Sequence, residues 1–358
     1  MAYSTINKPT DYFNTLLWSG TGASNSLTGV GFQPDWTWIK KRSNTADHRI
    51  FDSVRGATKA LKSNATQAEG TESQALTSFD SDGFTLGTDD FTNGSGSTFV
   101  GWNWLANGSG SANTDGSISS TVSANTTSGF SIVTWTGNAT ESTIGHGLSS
   151  APTIFIVKNR TDDGNDWRVG QVLTSSNNMT DGNGYYLDWN DTKASTNPGS
   201  AVLFGATPTA PTSSVFTVGT NNGINGSGDD MLAYCFHSVK GYSKMGSYTG
   251  SGNNNNGTFI YTGFKPSFFM IKNTTTATGW QMWDNKRNTF NVVNKRLFPH
   301  SSNAEATTTM LDFCSNGIKL RDADTSDPRT DKSGDVYIYM AFAERSLVGT
   351  NGVPALAR

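Results

Sequence analysis

Charged residues are scarce in this chain, and their scarcity limits the partners it can have. Asp, Glu, Lys and Arg make up 15% of its 358 residues, against about 25% in an average soluble protein. The formal net charge is −3, and the 26 basic residues are scattered rather than clustered. Binding to nucleic acid or to an anionic membrane needs a basic patch. We therefore expect no nucleic-acid partner and a surface that is polar but largely uncharged.

Cysteine and histidine are also too few and too dispersed to predict a disulfide framework or a metal site. Cys235 and Cys314 occupy different places in the repeats described below, and we expect both to be free thiols. No histidine has a second His or Cys at the spacing of a zinc site. We expect no metal and no cofactor.

Long apolar runs are absent as well. The N-terminal residues contain no apolar core of a secretion signal, and no uncharged run is long enough to cross a bilayer. We expect the chain to be made in a cytosol, to stay soluble and not to insert into a membrane.

What the chain does contain is one pattern written three times. Trp18-Ser-Gly, Trp135-Thr-Gly and Tyr248-Thr-Gly each precede a strand-like motif. The three motifs are Gly-Phe-Gln-Pro-Asp-Trp-Thr-Trp-Ile-Lys (31–40), Gly-Leu-Ser-Ser-Ala-Pro-Thr-Ile-Phe-Ile-Val-Lys (147–158) and Gly-Phe-Lys-Pro-Ser-Phe-Phe-Met-Ile-Lys (263–272). Their prolines are spaced by 118 and 114 residues (152 − 34 and 266 − 152), about the length of a small domain. The pattern indicates an internal triplication.

Each repeat is predicted to be all-β. Short runs of β-branched and aromatic residues are bounded by Gly, Asn, Asp or Pro, and no segment keeps a helical apolar stripe. Apolar residues on both faces of Trp36-Thr-Trp-Ile-Lys40 are typical of a central strand. Two packed antiparallel sheets per repeat is the simplest arrangement. The prediction is three tandem antiparallel β-sandwich modules, jelly-roll-like in type.

The composition also predicts where the modules begin and end. Residues 1–11 form an N-terminal arm, and residues 12–125 form the first repeat with a linker rich in Gly, Ser, Asn and Thr at its end. Residues 126–241 form the second repeat, and residues 242–358 form the third repeat with a C-terminal tail.

Paired carboxylates are the best candidates for a catalytic pair. Asp52, Arg55 and Glu69 of the first repeat return as Asp284, Arg287 and Glu305 of the third, while the second repeat has lost them. Two acids at a fixed distance could cleave a glycosidic bond. An arginine beside each aspartate instead favours structural pairing, because a neighbouring cation lowers the pKa of a carboxyl group, the wrong direction for a general acid. We expect these six residues to be a structural motif and the protein to have no catalytic residues.

Aromatic residues raise the question of sugar binding. The chain has ten tryptophans, most of them in the repeated strand motifs, where core packing is expected. Trp167, Trp189 and Trp280 lie in loop-flanked positions outside those motifs. They are the candidate glycan contacts.

Several motifs together resemble a known domain. They are Tyr-Phe-Asn-Thr-Leu-Leu-Trp-Ser-Gly (12–20), the 31–40 motif, Phe-Asp-Ser-Val-Arg-Gly-Ala-Thr-Lys (51–59), Ser-Phe-Asp-Ser-Asp-Gly-Phe-Thr-Leu-Gly (78–87) and Tyr-Cys-Phe-His-Ser-Val-Lys-Gly-Tyr-Ser-Lys (234–244). In combination they resemble an uncharacterised repeat domain of tailed bacteriophage structural proteins, especially marine ones. The resemblance covers nearly the whole chain. It implies a location in the virion and no catalytic residues.

Three functions follow as hypotheses. The first is a non-enzymatic virion protein of a tail fibre or tail tip that contributes to attachment to host-surface polysaccharide. The second is a decoration or head-fibre protein on the capsid exterior, and the third is a polysaccharide depolymerase. We expect partners among other virion proteins, a homo-oligomer, and an N-terminal arm that docks onto a neighbouring protein.

Overall fold

The fold is almost entirely β-sheet. The computed structural model describes residues 4–253, 256–321 and 328–348, with 42% of residues in strands and 3% in helices. The strands form several antiparallel sheets. The all-β prediction is therefore confirmed. Part of the predicted C-terminal tail, residues 349–358, lies outside the described residues.

The strands fall into three consecutive groups, which we call the first, second and third segments. The first segment contains β1 (Phe13–Ser19), β2 (Asn25–Thr28), β3 (Trp36–Lys41), β4 (Arg49–Asp52), β5 (Lys59–Ala60), β6 (Gly70–Thr71), β7 (Leu76–Asp80), β8 (Gly83–Leu86) and β9 (Thr98–Trp104). The second contains β10 (Ser111–Asn113), β11 (Ser120–Asn125), β12 (Phe130–Thr136), β13 (Ser142–Gly145), β14 (Ile154–Asn159), β15 (Arg168–Gln171), β16 (Leu187–Asp188), β17 (Val215–Val218) and β18 (Asp230–Phe236). The third contains β19 (Ser243–Thr249), β20 (Phe259–Tyr261), β21 (Phe264–Asn273), β22 (Gln281–Asp284), β23 (Val293–Arg296), β24 (Ala306–Cys314), β25 (Gly317–Leu320) and β26 (Val336–Ser346).

Helices are short and few in the described residues. A 3₁₀ turn spans Pro9–Asp11, and single α-turns span α1 (Asp90–Asn93) and α2 (Asn222–Asn225). The two α-turns hold equivalent places, each before the last strand of its segment.

Each segment contains an inner sheet with the same strand order. The orders are β1-β9-β3-β4 in the first segment, β12-β18-β14-β15 in the second and β19-β26-β21-β22 in the third. In the second segment the sheet is wider, because β10 and β11 extend one edge and β16 extends the other. The last strand of every segment thus lies between the strand of the repeated motif and an earlier strand, which is β1, β12 or β19.

The inner sheets are buried on both faces. In β3, Trp36 and Trp38 belong to one core cluster and Ile39 belongs to another. In β14, Ile156 likewise belongs to the same core cluster as Trp36, and its neighbour Phe155 belongs to a different one. Neighbouring side chains of a strand point to opposite faces, so each inner sheet separates two cores, as the sequence predicted for a central strand.

One face of each inner sheet covers a core that belongs to its own segment. Outer strands lie over that core in the orders β2-β8-β7, β13-β17 and β20-β25-β24-β23. Phe51 and Phe84 are fully buried in the first of these cores, and Phe155 and Phe216 in the second.

The other faces of the three inner sheets meet in one shared central core. Trp36 lies there with ring-centroid distances of 4.3 Å to Trp104 and 4.5 Å to Tyr234. Phe13 stacks on Phe342 of the third segment at 5.1 Å. Aromatic contacts of this kind add about 0.5–1.5 kcal/mol each beyond area burial. The three segments therefore pack around a common aromatic centre.

The predicted linker at the end of the first repeat is instead part of the second segment's sheet. Residues 111–113 and 120–125 form β10 and β11, and β11 pairs with β12 along its whole length. Val122 is only 5% exposed. The polar composition of the stretch concealed a strand, because Ser and Thr can occupy a strand that pairs with neighbours on both sides, as β11 does with β10 and β12.

The predicted N-terminal arm lies on its own chain from residue 4 onward. Ile6 is 2% exposed and belongs to the central core. The Oγ of Ser346 donates a hydrogen bond to the backbone oxygen of Ile6 at 3.4 Å and to that of Gly241 at 2.6 Å. Residues 4–11 therefore pack against the rest of their own chain, and docking of this stretch onto a neighbouring protein stays a prediction.

Candidate functional site

The carboxylates singled out in the sequence form a buried ionic network in the first segment. Asp52 ends β4, and the turn that follows brings Arg55 back onto it, with Nε of Arg55 donating to Oδ2 of Asp52 at 2.5 Å. A second nitrogen of Arg55 donates to Oε2 of Glu69 at 2.9 Å. Asp52 and the Arg55 side chain are fully buried. The prediction of structural pairing fits this geometry.

The third segment repeats the network with the same atoms. The Nε of Arg287 donates to Oδ2 of Asp284 at 2.5 Å, and its backbone nitrogen donates to Oδ1 at 2.8 Å. Glu305 accepts from Arg287 at 3.3 Å. The shared Asp-x-x-Arg spacing forms the same turn twice because the aspartate accepts from the backbone and the guanidinium together.

Each network is completed by a neighbouring segment, which the sequence did not reveal. The guanidinium of Arg160, just beyond β14, donates hydrogen bonds to both carboxylate oxygens of Glu69, at 2.9 and 3.0 Å. The guanidinium of Arg42, just beyond β3, donates in the same way to both carboxylate oxygens of Glu305, at 2.9 and 3.1 Å. Paired bonds of this kind are both strong and orientation-specific. The networks therefore join the first segment to the second and the third to the first.

A side-chain donor from the same neighbour caps each aspartate. The hydroxyl of Tyr234 donates to Oδ2 of Asp52 at 2.8 Å, and Nε1 of Trp102 donates to Oδ2 of Asp284 at 3.0 Å. Tyr234 and Trp102 are the fifth residues of β18 and β9. We call Asp52, Arg55, Glu69, Arg160 and Tyr234 the first clamp. The second clamp is Asp284, Arg287, Glu305, Arg42 and Trp102.

Electrostatics favour the charged forms of Arg55 and Glu69 in the first clamp. Burial by itself would lower the pKa of Arg55, but Asp52 and Glu69 outweigh it and raise that pKa above its ordinary value. Burial would raise the pKa of Glu69, and the two arginines that contact it lower that pKa instead. A general acid needs a raised carboxyl pKa. The clamp is thus suited to holding segments together and poorly suited to proton transfer.

The second segment has a neutral version of the same turn. Gln171 occupies the Asp52 position, since it pairs with Ile154 as Asp52 pairs with Trp36. Its Oε1 accepts from the backbone of Leu173 at 2.7 Å, and its Nε2 donates to Oγ1 of Thr174 at 3.0 Å. Gln171 and Thr174, the counterparts of Asp52 and Arg55, are therefore both uncharged.

Each of the three pairs of neighbouring segments is nevertheless joined by a backbone hydrogen bond at equivalent positions. Glu69 N donates to Arg160 O at 2.8 Å, and Glu305 N donates to Arg42 O at 3.0 Å. The third such bond, Ser195 N to Thr274 O at 2.9 Å, joins the second segment to the third. The segments therefore contact one another head to tail in a closed ring of three junctions.

A buried lysine accompanies each junction. Lys40, Lys158 and Lys272 are fully buried at equivalent places in β3, β14 and β21. Each Nζ donates to one carbonyl of its own segment and one of the neighbouring segment. These acceptors are Lys41 and Ser302 at 2.7 and 3.3 Å, Asn165 and Thr66 at 2.5 and 2.9 Å, and Asn273 and Thr192 at 2.6 and 3.5 Å.

Burial lowers the pKa of these lysines, because a charged amine loses its hydration in the interior. The pKa falls to about 8 for Lys40 and Lys158 and to about 7 for Lys272. A neutral amine keeps two N–H donors, enough for two carbonyl acceptors. Sequence reasoning missed these residues, although a lysine closing an apolar strand in all three copies was a visible signal.

The candidate glycan contacts lie in the interior rather than on the surface. Trp167, Trp189 and Trp280 are at most 1% exposed and belong to the central core. The indole nitrogens of Trp167 and Trp280 donate to the backbone oxygens of Lys62 and Asp188 at 2.8 and 2.9 Å. An external sugar cannot stack on these rings, so the assignment was wrong. Trp167 and Trp280 directly precede β15 and β22, where a loop-flanked residue still faces inward.

The remaining features of the described residues are the cysteines, the possible metal ligands and the helices. Cys235 and Cys314 are free thiols, and burial raises the pKa of both. In residues 4–253, 256–321 and 328–348, no group of three or more His, Cys, Asp or Glu side chains could hold a metal ion. No helix in this part of the chain is long and apolar enough to cross a membrane.

Comparison with known proteins places the chain in a family. The model of the domain of unknown function DUF7483 matches residues 8–346, so the chain belongs to that family. No curated protein and no solved structure is significantly similar to the chain.

Proposed function

We propose that the protein is a non-enzymatic structural component of a bacteriophage virion, part of a tail fibre or tail tip that contributes to attachment to host-surface glycans. It consists of three tandem antiparallel β-sandwich modules, jelly-roll-like in type, that arose by internal triplication. The matching strand orders of the three inner sheets support the triplication.

The observation that carries the proposal is the use of the conspicuous carboxylates. Asp52 and Asp284 are fully buried, and each is held by an arginine of its own segment and a donor from another segment. An enzyme that hydrolyses polysaccharide needs an acid with a raised pKa beside an open cleft. Asp52 and Asp284 instead connect neighbouring segments, as expected of an architectural protein.

The closed ring of segments also suits a virion component. Its interior is filled by aromatic side chains, so binding falls to the outer loops, which differ among the three segments. A homo-oligomer would multiply weak contacts of each copy with a repetitive surface polysaccharide. Other virion proteins are the expected partners in assembly.

Immunogold electron microscopy of intact virions tests the location. An antibody raised against the purified chain is expected to label the tail or its fibres. Label over the capsid would replace tail attachment by capsid decoration, and unlabelled virions in which the chain is also undetectable by mass spectrometry would contradict a virion role.

A further inference from the structure

A cavity of about 360 Å³ with both polar and apolar lining opens on the outside of the third segment. It lies between the turn that follows β22 and the end of β26, and its lining includes Lys265, Asn285, Phe290, Phe313, Glu344 and Arg345. An adjoining cavity of about 270 Å³ shares Asn285 and Glu344 and extends to Thr15 of β1. Small-molecule sites usually enclose about 300–1,000 Å³. We call the two together the 285–345 cleft.

Polar atoms in this cleft lack the partners that the interior normally supplies. The Oδ1 of Asn285 and the Oγ1 of Thr15 are buried, and neither has a hydrogen-bond partner among the described residues. Thr15 is 5% exposed. A buried polar atom without a hydrogen-bond partner destabilises the folded chain. Such atoms are tolerated where a bound molecule satisfies them.

A β-bulge shapes the same cleft. Lys265 pairs with Arg345 and Pro266 pairs with Ala343, so Glu344 is the additional residue of β26. Its Oε2 lies 2.8 Å from Nζ of Lys265. Bulges re-aim side chains and are common beside binding sites.

The first segment fills the equivalent place with its own chain. Ser53 and Asn285 are equivalent residues, because each directly follows the aspartate of its clamp. The backbone nitrogen of Ser53 donates to the backbone oxygen of Asp35 at 2.8 Å, and that of Asn285 donates to the backbone oxygen of Ser267, the counterpart of Asp35, at 2.9 Å. The Oγ of Ser53 donates to Gly108 O at 2.6 Å. Asp35 accepts from the backbone nitrogens of Ala106 and Gly108. Residues 106–108 thus supply hydrogen-bond partners in the first segment at a place where the described residues of the third segment leave the Oδ1 of Asn285 without one.

The charges and rings of the cleft define the ligand. Within the described part of the chain Arg345 has no ion-pair partner, and a guanidinium binds a carboxylate through two parallel hydrogen bonds. Phe290 is 83% exposed at the rim and offers an apolar face. The amide of Asn285 can pair with a hydroxyl group.

We propose that the 285–345 cleft binds an acidic saccharide, with Arg345 on the carboxylate, Phe290 against the sugar ring and Asn285 on a hydroxyl. The assignment rests on the proposed role in glycan attachment and names its site and its ligand class. It also replaces the three buried tryptophans as the place where sugar is recognised.

Isothermal titration calorimetry of the full chain with hexagalacturonate tests the assignment, with maltohexaose as the neutral probe of equal length. The acidic hexamer is expected to bind and the neutral one to bind at least about tenfold more weakly, because hydrogen bonds to a charged group are stronger than neutral ones. Affinity is expected to fall as NaCl is raised, since salt screens an exposed ion pair.

Two variants locate the binding. Arg345→Gln is expected to weaken hexagalacturonate binding at least about tenfold, and Phe290→Ala to weaken both hexamers. Lys193→Gln in the second segment, which removes one positive charge elsewhere on the surface, is the matched control and should change neither. All variants are first compared by circular dichroism, and Phe290, being exposed, can be truncated without unfolding the chain.

The outcomes separate this inference from the proposed function. No binding of the acidic hexamer, or binding that Arg345→Gln and Phe290→Ala leave unchanged, would overturn the cleft assignment even if immunogold labels the tail. Binding that depends on Arg345 would support the cleft even if the chain proves to lie on the capsid.

Discussion

The junction between the second and third segments differs from the other two in carrying no clamp. The first clamp joins the first segment to the second through the Glu69–Arg160 pair, and the second clamp joins the third to the first through Glu305–Arg42. At the remaining junction Thr274 stands where the arginine would be, and Gln171 replaces the aspartate.

All three junctions nevertheless keep the same backbone hydrogen bond and the same buried lysine. The architecture therefore does not depend on the ionic network. A buried ion pair often adds little net stability compared with apolar packing, yet breaking one partner is costly, because a charge stays buried without compensation. Substitution of a clamp residue is therefore expected to be costly at two junctions, whereas the residues at the equivalent positions of the third junction can be replaced at less cost.

The largest effect is expected from removing the central cation of a clamp. Arg55→Met leaves Asp52 and Glu69 without that partner in the interior, and we expect the free energy of unfolding to fall by about 3–5 kcal/mol. Thr174→Val, the matched change in the neutral segment, removes the two hydrogen bonds between the Thr174 hydroxyl and the Gln171 amide and should cost about 1 kcal/mol. Urea unfolding at pH 7 measures both, and equal losses would contradict the distinction between the junctions.

A smaller effect is expected from the arginine that crosses the junction. Arg160→Gln removes the two-point grip on Glu69 but leaves Arg55 in place, so the expected loss is about 1.5–3 kcal/mol. Its counterpart Thr274→Val should lose about 1 kcal/mol or less. Thermal unfolding of the two variants measures both losses of stability. A larger loss for Thr274→Val than for Arg160→Gln would contradict the prediction.

The buried lysines predict how stability depends on pH. The pKa of Lys272 is about 7 in the folded chain and has an ordinary value of 10.5. Between these pH values the unfolded state binds more protons, so the free energy of unfolding rises with pH from 7 to 10.5 and this contribution is constant below 7. Lys272→Met should reduce the slope between pH 7.5 and 9.5 by about 1.4 kcal/mol per pH unit. An unchanged slope in chemical denaturation would show that Lys272 stays charged when folded.

The smallest effect is expected at an exposed ion pair. Lys193 is 57% exposed and lies 2.8 Å from Asp191. Water screens such a pair, so Lys193→Gln should change the free energy of unfolding by less than about 1 kcal/mol. A loss as large as that of Arg160→Gln would mean that burial is not what distinguishes the clamps.

Sequence reasoning succeeded where a pattern is local. The period-2 pattern of Trp36 to Lys40 predicted a strand buried on both faces, and Asp52 beside Arg55 predicted a structural pair. The shared core could not be predicted in this way, because Trp36 contacts Tyr234 only through the arrangement of whole segments. Trp167 was misassigned for the same reason, since a loop position says nothing about which face a neighbouring segment covers.

The most direct test of the structural role of the carboxylates is the double variant Asp52→Asn, Asp284→Asn. We would measure its urea unfolding together with reducing-sugar release from a panel of bacterial surface polysaccharides. The account predicts a loss of several kcal/mol in the free energy of unfolding, about 3 kcal/mol or more, and sugar release at background for both the wild-type chain and the variant. Sugar release by the wild-type chain that disappears in an equally stable variant would contradict it and indicate a depolymerase.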